Sequence, residues 1–162
     1  MDHLDTMAWS DKFLLGYAPM DDTHREFVSC VQAMQTAADA ELAASLDAML
    51  AHAVAHFEQE REWMQSTGFP ATQCHIDEHE AVLKSLHEVK DMLSQGDHFK
   101  VVRDLAQALQ GWFPGHADYM DAALSHWMSK RTYGGAPVVI RRGVANADTD
   151  DTTTNNNTTA VR

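Results

Sequence analysis

Apolar residues recur at intervals of three and four in four successive segments, and this periodicity constrains the fold more than any other feature of the sequence. Turn signals separate the segments, such as Gly68 followed by Pro70. Asp21 or Asp22 could cap the first helix, and Thr72 could cap the third. The pattern predicts four helices over about residues 21–38, 39–66, 73–94 and 98–129.

Four amphipathic helices with short connections favour an all-α fold, an up-down-up-down four-helix bundle. We assign residues 1–130 to this bundle, including an N-terminal arm, and residues 131–162 to a C-terminal extension. The stretch 145–162 is dominated by Thr, Asn and Asp, which bury too little apolar surface to order a chain. We therefore expect the extension to be a largely disordered, flexible tail.

The balance of charge excludes several kinds of partner. The chain has 24 acidic and 12 basic residues, a net charge of -12, so it should repel nucleic acids and anionic membranes. No run approaches the roughly 18 apolar residues of a membrane-spanning helix, and no secretory signal opens the chain. Its two cysteines form no CxxC motif, which favours reduced thiols in a cytoplasmic protein.

Several polar residues interrupt the apolar stripes of the predicted helices. His56 and Glu60 are four residues apart and therefore project from one helix face. Burying a carboxylate without a partner destabilises the fold by roughly several kcal/mol, even after the surrounding protein relaxes. One metal site would satisfy all of these groups, which are His24, His56, Glu60, His75, His79 and His116.

Each of these residues also has an ordinary structural interpretation. A lone histidine on an apolar face is usually a hydrogen-bonded core residue, and Glu60 could lie at the exposed edge of its stripe. If all of these residues had only such roles, four separate helices would each have placed polar residues on an apolar face by coincidence. The set as a whole therefore favours a metal site. His52 lies one turn before His56 and forms a second HxxxH pattern, so spacing alone leaves it open as a further ligand. The remaining histidines are better explained as surface or structural residues: His3, His87, His98 and His126.

The motifs that contain these residues resemble the hemerythrin family, in particular its single-domain bacterial members. The resemblance covers about residues 9–128. It rests on Trp9, Leu15-Gly16-Tyr17 and the first-helix segment Met20–Phe27, on HFxxE at His56–Glu60, on HxxxH at His75–His79, and on HxxxxD at His116–Asp121 preceded by Trp112. Any one of these motifs is weak, but together they are specific.

The resemblance implies reversible binding of O2 at two iron ions, and an oxygen carrier rather than an enzyme. It implies one ion held by three histidines and the other by two, with two acids and an oxo or hydroxo group bridging them. These seven residues are His75, His79 and His116 for the first ion, His24 and His56 for the second, and Glu60 and Asp121 as bridges. We expect O2 as the partner and a monomer, and no protein partner is indicated.

The fourth helix departs from simple periodicity in two ways. Asp121 follows His116 by five residues, so on an ideal α-helix it would point about 140° away, and periodicity would select Met120 instead. A spacing of five suits a π-type bulge. Pro114 should kink the helix just before His116, and the kink could either aim the ligands or shift the pocket.

Other functions compete with oxygen carriage. Ferritin-like di-iron oxidases use Glu-x-x-His pairs, which this chain lacks. A zinc site would usually take four ligands, fewer than the seven available. Five imidazoles and two carboxylates without sulfur suit iron. A module that senses O2 or nitric oxide through a separate partner remains the main alternative, followed by a di-iron oxidase.

Overall fold

Four long helices make up most of residues 5–142, the part of the chain that the computed structural model describes. Within these residues there is no β-strand, and each helix packs against its neighbours in the chain, with α1 also against α4. The helices are α1 (Ala18–Thr36), α2 (Leu42–Thr67), α3 (Thr72–Ser94) and α4, which joins Phe99–His116 and Ala122–Tyr133 through the π-helical turn Ala117–Asp121. The predicted all-α four-helix bundle is confirmed.

Short 3-10 turns lie at Asp11–Phe13, before α1, and at Asp39–Glu41, between α1 and α2. The bundle extends to Tyr133, three residues beyond the boundary that the sequence suggested. The division at residue 130 stays a prediction, and the expected disorder of residues 145–162 lies outside the described residues. None of the helices within residues 5–142 is long and apolar enough to cross a membrane.

The predicted cap of α1 is wrong. The helix begins at Ala18, where Pro19 fits the first turn because its fixed φ suits a helix and its missing N–H is not needed there. Asp21 lies one turn into the helix and is 4% exposed. Its carboxylate accepts hydrogen bonds from the backbone N–H groups of Leu15 and Gly16, at 2.8 and 3.0 Å. Asp21 therefore fixes the loop in front of the helix.

The predicted cap of α3 is also wrong, because the helix begins at Thr72 itself and the capping position belongs to Ala71. The Thr72 hydroxyl donates to the carbonyl of Phe69 in the preceding turn. That turn reverses the chain through Gly68, whose φ of 67° lies in the left-handed region that favours glycine.

Two apolar clusters form the core, one on each side of a polar layer. The larger cluster includes Phe27, Leu46, Leu86 and Phe113, and the smaller one is built around Met20, Met64, Ile76 and Leu124. On α1, α2 and α4 the candidate ligands lie between a residue of the larger cluster and one of the smaller. Packing on both sides thus holds the polar layer in the middle of the bundle.

The π-helical turn of α4 confirms the bulge predicted from the spacing of His116 and Asp121. The backbone N–H of Ala122 donates to the carbonyl of Ala117, five residues earlier, which is the hydrogen bond that defines a π-helix. Helical structure also continues through Pro114 without interruption.

Replacement of Asp21 should weaken the fold through the loop that it anchors. We expect Asp21→Ala to lower the free energy of unfolding by about 3 kcal/mol, because two hydrogen bonds to a charged acceptor are lost. Urea titration would measure this. Asp22→Ala is the matched control, since Asp22 is exposed and forms a surface ion pair with Arg25, and it should change stability by less than about 0.5 kcal/mol. Equal effects of the two substitutions would contradict this role of Asp21.

Candidate metal centre

The bundle brings the seven predicted site residues together. Each is buried, with no more than 4% of its surface exposed. Their donor atoms form two groups that could each hold a metal ion. The first group is Glu60, His75, His79, His116 and Asp121, and the second is His24, His56 and Glu60.

Glu60 belongs to both groups because its two oxygens face opposite ways. Its Oε1 lies 2.9 Å from Nε2 of His56 and 3.8 Å from Nε2 of His24. Its Oε2 lies 3.2 Å from Nε2 of His75 and 3.3 Å from Nε2 of His79. One carboxylate thus reaches imidazoles from three helices.

Asp121 repeats this arrangement from α4. Its Oδ1 lies 3.0 Å from Nε2 of His75 and 3.1 Å from Nε2 of His116. Its Oδ2 lies 3.0 Å from Nε2 of His24. The π-helical turn makes this possible, because a regular α-helix would direct the fifth residue after His116 away from the cluster.

The donor atoms fit a cation better than they fit one another. Several of them have no hydrogen-bond partner among residues 5–142, and these include Nε2 of His24 and His75, Oε2 of Glu60 and both oxygens of Asp121. They nevertheless lie about 3 Å from each other, the spacing of neighbouring ligands around a six-coordinate ion with bonds of about 2.1 Å. Imidazole and carboxylate donors without sulfur suit iron or a similar first-row metal.

The two acids are charged in this environment. Burial raises the pKa of Asp121, but contacts with the imidazoles of His116, His24 and His75 outweigh burial and hold the pKa well below its ordinary value. The pKa of Glu60 is likewise well below normal, since His56 and His24 outweigh the opposing effects of burial and Asp121. Two negative charges therefore share this apolar interior.

Without a metal, protons on the imidazoles balance these charges. Burial lowers the pKa of His24, but its contacts with Asp121 and Glu60 outweigh burial and raise the pKa to about 9. The pKa of His75 is also raised to about 9, for the same reasons. His79 behaves differently, because burial together with the nearby His75 and His116 lowers its pKa to about 3.

His52 lies outside both groups of donor atoms. Its ring packs near that of His56, with centroids 5.3 Å apart, and its Nδ1 is 3.6 Å from a carboxylate oxygen of Glu26. Burial, with the nearby His56 and His24, lowers the pKa of His52 to about 4. Of the other histidines, His87, His98 and His126 also lie apart from the cluster, and His3 lies outside the described residues.

Aromatic side chains enclose the cluster, and sequence analysis missed most of them. The Phe57 ring stacks on the imidazole of His79, with centroids 3.9 Å apart and planes at 10°. Phe113 meets His24 edge-on at 5.1 Å and stacks on Phe27 at 4.9 Å. The sequence named Phe57 and Phe27 only as parts of the HFxxE motif and the first-helix segment, and neither motif indicates which imidazole each ring contacts. These contacts shield the donor atoms from water.

Comparisons with known proteins agree with this site. The family described as "Hemerythrin HHE cation binding domain" matches residues 15–127. A bacteriohemerythrin from Ralstonia nicotianae is 34% identical over 128 residues, which cover 79% of this chain and 93% of that protein. A bacteriohemerythrin from Stenotrophomonas maltophilia is 24% identical over 144 residues, 80% of this chain and 91% of that protein.

The fold and the site define a four-helix-bundle protein with a buried cluster of histidines and carboxylates that can hold metal. The family match and the similarity to the Ralstonia protein narrow this class further. The chain belongs to the hemerythrin family.

The raised pKa values of His24 and His75 predict how the metal-free protein responds to alkali. With a pKa of about 9 folded and 6.5 unfolded, their protonation stabilises the fold below pH 6.5, and this stabilisation is lost as the pH rises through 9. We therefore expect the free energy of unfolding to fall between pH 7 and 10, as measured by urea titrations. The free energy of unfolding of the metal-loaded protein should fall less over this range, because metal ions replace the protons on the imidazoles. A constant or rising stability of the metal-free protein would contradict this.

Proposed function

We propose that this protein binds O2 reversibly at a pair of non-haem iron ions, as an oxygen carrier or store. One ion would be held by His75, His79 and His116, and the other by His24 and His56. Glu60 and Asp121 would bridge the two ions, together with an oxo or hydroxo group. The observation that carries this proposal is that each of the two acids turns one oxygen toward each group of imidazoles.

The two positions differ in how many ligands the chain provides. Three imidazoles and two carboxylate oxygens surround the first position, but two imidazoles and two carboxylate oxygens surround the second. An ion at the second position would therefore keep one more coordination position open to a small external ligand. When bound, the ferrous ions would supply the electrons that O2 takes up on binding and returns on release.

Apolar side chains line the second position. Phe27 and Phe113 pack against the imidazoles of His56 and His24, and both phenyl rings are fully buried. A dry, apolar wall admits O2 and excludes bulk water. The mostly neutral ligand set also favours carriage, because it donates less charge to the metal than a carboxylate-rich set and so makes high-valent iron harder to reach.

The names of the relatives support the same function, since both are bacteriohemerythrins. We also propose a reducing, cytoplasmic setting, which the two free thiols of Cys30 and the exposed Cys74 support.

The optical spectrum under cycles of O2 exposure tests the proposal. Protein loaded with ferrous iron under argon should gain a visible absorption band in O2 and lose it when argon returns. The loaded protein should contain two iron ions per chain. Irreversible oxidation coupled to substrate turnover would favour an oxidase instead. Protein that folds yet retains no iron would overturn the proposal. A reversible response to nitric oxide alone would favour a sensor.

Substitutions on α2 test the ligand assignment. Glu60→Ala should abolish stable binding of two irons, because it removes an oxygen from each position. Glu58→Ala is the matched control, as Glu58 is exposed on the same helix and forms a surface ion pair with Arg61, and it should bind iron normally. His52→Ala should also bind two irons, since His52 lies outside both donor groups. Iron analysis of the purified variants measures these outcomes, and metal loss in His52→Ala would show the ligand set to be incomplete.

A further inference from the structure

Glu78 joins a candidate ligand to a tryptophan on the neighbouring helix. It lies on α3 directly before His79, and its side chain is one-third exposed. Its Oε1 lies 2.9 Å from Nδ1 of His116 and accepts a hydrogen bond from Nε1 of Trp112 at 3.0 Å. One oxygen on α3 thus holds two rings of α4.

The chemistry of these groups fixes which nitrogen of His116 carries hydrogen. A carboxylate only accepts hydrogen bonds, so Nδ1 of His116 must be the donor to Glu78. The opposite nitrogen, Nε2, is then directed at the cluster, where it lies 3.1 Å from Oδ1 of Asp121. Glu78 therefore selects the tautomer of neutral His116 whose Nε2 lone pair is free to bind metal.

The same contact holds a ring stack. The Trp112 and His116 rings lie with centroids 4.3 Å apart and planes at 24°. A bond from Glu78 to each ring fixes both partners of the stack. The other imidazoles of the cluster lack this support, because Nδ1 of His24, His56, His75 and His79 has no hydrogen-bond partner among residues 5–142.

His116 lies between two departures from regular α-helical hydrogen bonding, although its own backbone angles are helical. Pro114, two residues earlier, lacks the N–H that an α-helix would use. The π-helical turn begins at Ala117, one residue later. The orientation of this imidazole therefore depends on side-chain contacts as well as on the helix.

We propose that Glu78 is a positioning residue that sets the tautomer and orientation of His116, with the Trp112 ring held against it. This inference rests on the proposed iron site. The carboxylate acts through His116, so its loss should weaken the affinity of the site without removing a ligand.

Ferrous iron affinity of four variants tests the proposal, measured by competition with a coloured chelator. Glu78→Ala and Glu78→Met both lack an acceptor and should bind iron about 10–100-fold more weakly. Glu78→Gln keeps an acceptor oxygen and should restore affinity to within about threefold. Glu80→Ala is the matched control on the same helix, since Glu80 is exposed and forms an ion pair with Arg61 at the surface, and it should bind like the wild type.

Two readouts separate positioning from a general effect on the fold. The NMR signal of the Trp112 Nε1–H should move in Glu78→Ala and Glu78→Met, and circular dichroism should show these metal-free variants to be as helical as Glu80→Ala under the conditions of the affinity measurement. Wild-type affinity in both acceptor-free variants would overturn this inference alone. Failure of the wild type to bind iron would overturn the proposed function, and this inference with it.

Discussion

Two ionised carboxylates in the middle of an apolar bundle are the constraint on which the rest of the molecule depends. Glu60 and Asp121 are almost wholly buried, and charge in such a place is tolerated only beside compensating positive charge. Protons on His24 and His75 provide it in the metal-free protein, and metal ions would provide it in the loaded protein. The same imidazoles serve both states, so metal and protons compete for one set of nitrogens.

The bundle supplies this charged layer with rigid support on both sides. The larger apolar cluster packs below it and the smaller one above it, and all four helices cross the layer. Because each helix contributes at least one candidate ligand, the distances between donor atoms are set by helix packing and not by a flexible loop. Donor atoms lie about 3 Å apart and several find no hydrogen-bond partner within residues 5–142, so this packing leaves a cluster that could hold metal.

Much of this arrangement follows from the sequence. Helical periodicity locates the four helices to within a few residues, and the same periodicity selects six inward-facing polar residues, which are His24, His56, Glu60, His75, His79 and His116. Asp121 is different, because a regular helix would turn it away, and only the family motif pointed to it. The role of Asp21 and the contacts of Phe57 and Glu78 could not be predicted, since each depends on groups brought close by turns or by packing between helices.

The wide turn of α4 has a consequence for the phase of the helix. It absorbs one residue, so each position after Asp121 faces the direction that its predecessor would face in an unbroken α-helix, a difference of about 100°. Leu124 and Met128 meet the smaller cluster only because of this offset. If the same residues formed an unbroken α-helix instead, both the acid at the centre and the apolar face beyond it would turn away by about 100°. The wide turn, and not only the residue types, therefore determines which side chains of the last part of α4 point inward.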